Sequence, residues 1–114
     1  MILHENVLHY QVGSPKTMRD QLQTLIEAAQ RPHVTVQIVP ASAAVHSGMN
    51  GAFVLASLDG EPGMVYLESA RAAQVTDRQE DVQAITDIWE AIGHETLPVS
   101  ASLDLISKGM EQWT

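Results

Sequence analysis

The amino-acid sequence predicts an α/β or α+β fold: a small mixed sheet of about four strands, in the order β-α-β-β-β-α-α, with helices packed on it. Three observations predict it. Short runs of apolar residues are spaced as strands, mostly alternating at period two, while longer runs recur at spacings of three and four. Gly, Pro and Ser fall where one period gives way to the other. The opening strand-helix-strand order favours a right-handed parallel crossover, to which a later hairpin adds antiparallel pairing.

Leu8, Tyr10 and Val12 alternate with His9 and Gln11, so Val7 to Val12 reads as the first strand. Gly13-Ser14-Pro15 then switches the period. Ser14 suits an N-cap, and Pro15 the first helical position, where its missing N–H costs nothing. Met18, Leu22, Leu25, Ile26 and Ala29 form one helical stripe, and Arg31-Pro32 ends it, because a residue before Pro is pushed out of the helical region. Val34, Val36 and Ile38 alternate toward Val39-Pro40 as a second strand. Phe53 to Leu58 is apolar at nearly every position, which predicts a strand covered on both faces. Asp59 to Gly63 is turn chemistry, and Met64 to Glu68 returns as the hairpin partner.

Thr76 and Gln79 fit a capping box, with Asp77, Glu80 and Asp81 placed where a helix dipole favours acids. Val82, Ile85, Trp89 and Ile92 are the stripe of that helix, and Gly93 reads as a left-handed stop. Pro98 and Ser100 open a last helix with Leu103, Ile106, Met110 and Trp113 inward, Gly109 weakening its end. Trp89 and Trp113 are expected to pack on each other or on the sheet.

A chain of 114 residues fits one domain, and no linker or repeat divides it, so residues 1–114 are expected to act as a single regulatory or interaction domain. The absence of Cys excludes disulfides, thiolate metal sites and a Cys nucleophile. No apolar run approaches the ~18 residues of a spanning helix, and no secretory signal opens the chain, so membrane association is not expected and the compartment reads as cytoplasmic. The formal net charge is -8. Residues 1–58 balance 3 acids with 3 bases, whereas residues 59–114 carry 11 acids and 3 bases. A surface this negative repels phosphate backbones, which argues against direct nucleic-acid binding by these residues. It reads either as a solvating face or as a patch for a basic partner.

Few residues suggest chemistry. The five histidines show no metal-ligand spacing, so no metal is expected, and no nucleotide-binding glycine motif occurs, so no cofactor is expected either. His46 stands out because Ser47, Gly48, Asn50 and Gly51 surround it with small residues that allow close backbone approach to a ligand. The plainer reading is a connecting loop in which His46 bonds to nearby backbone. No catalytic residue is assigned. One alternative is a small hydrolase or transferase using His46 with a carboxylate such as Glu68; another is a structural homodimerisation module.

Three stretches together resemble a domain of unknown function that follows an XRE-type helix-turn-helix in actinobacterial regulators of the antitoxin-like Scr type. The first runs from Val12-Gly13-Ser14-Pro15 through Met18-Arg19-Asp20-Gln21-Leu22 to Arg31-Pro32-His33-Val34-Thr35-Val36-Gln37-Ile38-Val39-Pro40. The second is the loop from Ala44 to Phe53, and the third is Val65-Tyr66-Leu67-Glu68. The similarity covers roughly residues 3–107. It implies a C-terminal effector- or partner-binding domain of a transcriptional regulator, non-catalytic, with the DNA-binding helix-turn-helix lying outside these residues. It also implies either a small partner protein, toxin-like and encoded by a neighbouring gene, or a small-molecule effector. The matched His46, Gly48, Gly51 and Glu68, with Phe53 closing the loop motif, are the candidate binding residues.

Overall fold

The computed structural model describes residues 1–42, 52–57, 63–68 and 73–113. Among them are three α-helices, a two-stranded sheet and a three-stranded sheet, an α+β architecture. They divide into two compact units: residues 1–43 with 95–114, and residues 44–94.

The first unit opens with β1 (Ile2–His4), a short 3-10 turn (Glu5–Leu8) and α1 (Pro15–Ala28), continues into β2 (Gln37–Val39), and closes with α3 (Val99–Glu111). β1 and β2 pair in parallel, Leu3 opposite Ile38, so the predicted strand-helix-strand crossover is present. Its first strand, however, lies before the predicted Val7 to Val12 segment. Local side-chain bonding explains the shift. His4 Nδ1 accepts the Asn6 N–H at 3.1 Å, and Asn6 O accepts the N–H groups of His9 and Tyr10. This winds the chain into a turn that buries Leu8 and leaves Tyr10 and Val12 exposed.

α1 begins as the sequence predicts. Ser14 Oγ accepts the Thr17 N–H at 3.1 Å, and Pro15 occupies the first helical position. Gly13 supplies the entry turn with a φ of 77°, a backbone state only glycine adopts cheaply. The helix finishes at Ala28, before the predicted Arg31-Pro32, because Gln30 and Arg31 bond to the carbonyls three residues back and tighten the chain into turns.

Leu8, Leu22, Val36, Ile38 and Ile106 form the core of this unit, with Leu3, Leu25, Leu103 and Trp113 packed around them. Fully burying each of the larger aliphatic side chains contributes roughly 1.5–3 kcal/mol. The last helix does not stop at Gly109. That residue is buried against Leu8, whose Cβ would lie 3.4 Å from an added methyl group, and Trp113 Nε1 donates to Leu8 O at 2.9 Å. Glycine here permits close packing of helix on turn, so the predicted weakness is offset by the contact it allows.

The second unit comprises β3 (Phe53–Ala56), β4 (Met64–Glu68), β5 (Ala73–Thr76) and α2 (Gln79–Gly93). β3 and β4 pair antiparallel, as the hairpin reading requires, and β5 adds antiparallel to β4. The fifth strand absorbs Thr76, which the sequence assigns to a helix cap. Thr76 is buried in β5; its Oγ1 donates to Asp81 Oδ2 at 2.9 Å and accepts from Arg78 N at 3.2 Å. Arg78 is the extended residue before the helix, and Glu80 and Asp81 lie in the first turn, where their charge favours the dipole. Gly93 adopts no left-handed conformation; the helix runs through it and His94 caps it in a right-handed one. Among the described residues no helix is long and apolar enough to cross a membrane.

Candidate functional site

The three-stranded sheet has two unlike faces. Phe53, Leu55, Val65, Leu67 and Thr76 belong to the face that packs against α2. Val65 is fully buried, and Phe53 meets Trp89 edge to face, with ring centroids 6.3 Å apart at 80°. Trp89 thus packs onto the sheet as predicted, while Trp113 anchors the core of the first unit.

The other face follows by alternation. Val54 lies opposite Tyr66, and Tyr66 opposite Val75, one apolar row across all three strands. Relative exposures are 57% for Val54, 38% for Tyr66 and 61% for Val75. The neighbouring Ala56–Met64 pair is exposed as well, and Glu68 opposite Ala73 supplies the acidic group. An antiparallel sheet with one solvated face ordinarily alternates polar outward. Here the outward positions are apolar apart from Glu68. The sequence predicts Phe53 to Leu58 as a strand covered on both faces. Within Phe53–Ala56, Val54 and Ala56 are exposed, because the helix of this unit covers a single side of the sheet.

The candidate residues fall apart accordingly. Phe53 is on the inner face and Glu68 on the outer, since Phe53 pairs with Leu67, the residue before Glu68. Glu68 donates its backbone N–H to Ala52 O at 3.1 Å, which extends the ladder by one bond and fixes the end of the strand. His46, Gly48 and Gly51 lie outside the described residues. So does any pairing of His46 with Glu68.

The other histidines have local roles. His4 caps the first turn. His9 Nδ1 donates to Gln112 Oε1 at 2.6 Å and joins the 3-10 segment to the end of α3. His33 is exposed, and His94 caps α2. No group of three or more His, Cys, Asp or Glu that could hold a metal occurs among the described residues. A concavity of about 370 Å³ lies between α1 and α3 and is lined by Arg19, Gln23, Ile26, Ser107, Met110 and Glu111.

The sheet face is the arrangement with the clearest binding character, and two of its residues, Tyr66 and Glu68, come from the Val65-Tyr66-Leu67-Glu68 stretch singled out above. The model of a family described as a domain of unknown function, DUF5753, matches residues 1–108 and so spans the described strands, α1, α2 and most of α3. The chain belongs to that family. No curated protein and no solved structure matches the chain. Sequence reasoning missed Val54 and Val75 as surface residues. The available signal was β5 itself, whose addition makes β4 the central strand and turns two separate apolar positions into a row.

Proposed function

We propose that this DUF5753 domain is the C-terminal effector- or partner-binding domain of an XRE-family helix-turn-helix transcriptional regulator, antitoxin-like and non-catalytic. It binds a small partner protein or small-molecule effector and biases the geometry or dimerisation of the attached DNA-binding part. Such coupling requires the bound species to prefer one of two states of the regulator. The observation that carries the reading is the outward apolar row of Val54, Tyr66 and Val75 with Glu68 beside it, a surface suited to contact rather than to solvation. The net charge of -8 agrees with leaving the DNA contacts to the attached helix-turn-helix, in a cytoplasmic protein.

The test is calorimetric titration of the purified chain against two ligands: the product of the gene neighbouring that of the full regulator, and the operator duplex. The expected result is binding of the protein with Kd near or below ~1 μM and no comparable binding of the duplex. Tight binding of operator by this chain alone, or turnover of a metabolite, overturns the proposal.

A further inference from the structure

The occupant of the sheet face can be specified further, on the reading that the domain binds a partner. We propose that the outer face of β3, β4 and β5 receives a polypeptide segment that is aliphatic along the contact and carries Lys or Arg beside it. The apolar half of that statement comes from the row Val54–Tyr66–Val75 and the flanking Met64, all exposed and all on one face by register. A flat apolar strip across three strands matches an extended or helical segment better than it matches a small polar metabolite, which needs an enclosing cavity.

The basic half comes from charge. Residues 44–94, the unit that holds the sheet, contain eight acidic and two basic residues, a net of −6. One of the basic residues, Arg78, is paired with Glu80. Glu68 stands on the face itself, exposed, and gives a Lys or Arg a defined point of contact. The same charge argues against a second copy as occupant. An isologous contact would bring two units of −6 together and enclose a Glu68 from each copy with no cation beside it, which a heterologous basic segment avoids.

The experiment uses the full chain, ¹⁵N-labelled, and three synthetic peptides of equal length: one alternating Lys with Val, one alternating Glu with Val, and one alternating Lys with Ser. The Lys/Val peptide is expected to shift the amide signals of Val54, Tyr66 and Val75, to bind about tenfold or more tightly than either counterpart, and to weaken as salt rises. A double variant, Val54→Thr with Val75→Thr, keeps strand-forming shape, and its intact spectrum reports that it folds. It should lose about tenfold in affinity for the Lys/Val peptide.

Equal binding of the Glu/Val peptide overturns the proposal. So do shifts confined to α2, and a concentration-dependent dimer that the double variant abolishes, since that result assigns the face to a second copy. If the neighbouring-gene product binds the double variant as tightly as the parent chain, the partner-binding function stands and this face is not its seat. If the peptide behaves as expected while that gene product fails to bind, the face stands and the choice of partner falls.

Discussion

The two units of this chain treat their sheets in opposite ways. In the first unit the free edge of β2 is closed by the segment leading into α3. Leu97 N–H donates to Ile38 O at 2.8 Å, Ser102 Oγ accepts Ile38 N–H at 2.9 Å, and Gln37 Nε2 donates to Leu97 O at 3.1 Å. In the second unit α2 covers one side of a three-stranded sheet and the other side remains apolar and exposed. Sealing an edge and burying a face are steps toward stability; a face left apolar forgoes that burial and keeps contact area for something else. The difference is between an edge sealed by hydrogen bonds in one unit and an apolar face left exposed in the other.

Each unit carries one tryptophan, Trp113 and Trp89 respectively, so fluorescence of Trp→Phe variants can follow the two separately during unfolding. The largest effect is expected from Ile106→Ala, which empties the centre of the first core and should cost about 3–4 kcal/mol in a urea titration followed by Trp113. A loss below about 1 kcal/mol would show that this core does not hold the unit together. Val65→Ala comes next. It removes two methyl groups from the fully buried side of β4 and should cost about 2.5 kcal/mol, read through Trp89.

Ser102→Ala should cost about 2 kcal/mol. The serine is fully buried, and its loss strands the Ile38 N–H without a partner. Hydrogen exchange at Ile38 should accelerate, and unchanged exchange would mean that the edge is not sealed this way. Ser14→Ala, which deletes the cap of α1, should cost about 1 kcal/mol. The smallest change is expected from Tyr66→Thr. It alters the residue next to Val65 yet should move stability by less than about 0.5 kcal/mol, because it acts on the solvent side. A large loss at Tyr66 would erase the contrast between the two faces.

Much of this fold is legible in the sequence. Ser14-Pro15 announces the start of α1, and Val34 to Val39 announces β2, because period and capping chemistry are local properties. The hairpin of β3 and β4 follows from turn residues at the right spacing. What escaped depends on competition between signals. Val7 to Val12 alternates as a strand should, but the side chains of His4 and Asn6 sit where they can stabilise a turn, and a few hydrogen bonds decide the matter. β5 was hidden because Thr76 and Gln79 also spell a capping box, and a strand of four residues leaves little periodic signal. The outer face was hidden for a different reason. Residues apolar on both sides of a strand ordinarily mean two covered sides, and nothing local tells that reading from a strand with one side reserved. Of the candidate binding residues, Glu68 lies on that outer face and Phe53 beneath it.

The first unit is also interrupted in sequence: it leaves at residue 43 and resumes at residue 95, where the Leu97–Ile38 bond brings the returning chain beside the departing one. During synthesis, therefore, the amino-terminal portion has to wait. Its hydrophobic centre lacks Ile106 until the final helix leaves the ribosome, whereas the intervening portion can acquire its own strands and helix while translation continues. Truncation at the carboxyl end should consequently injure the oldest part of the polypeptide more than the middle. Replacing the intervening portion with a short flexible bridge should leave a foldable remnant, because Ile38 and Leu97, on either side of it in sequence, are hydrogen-bonded to each other.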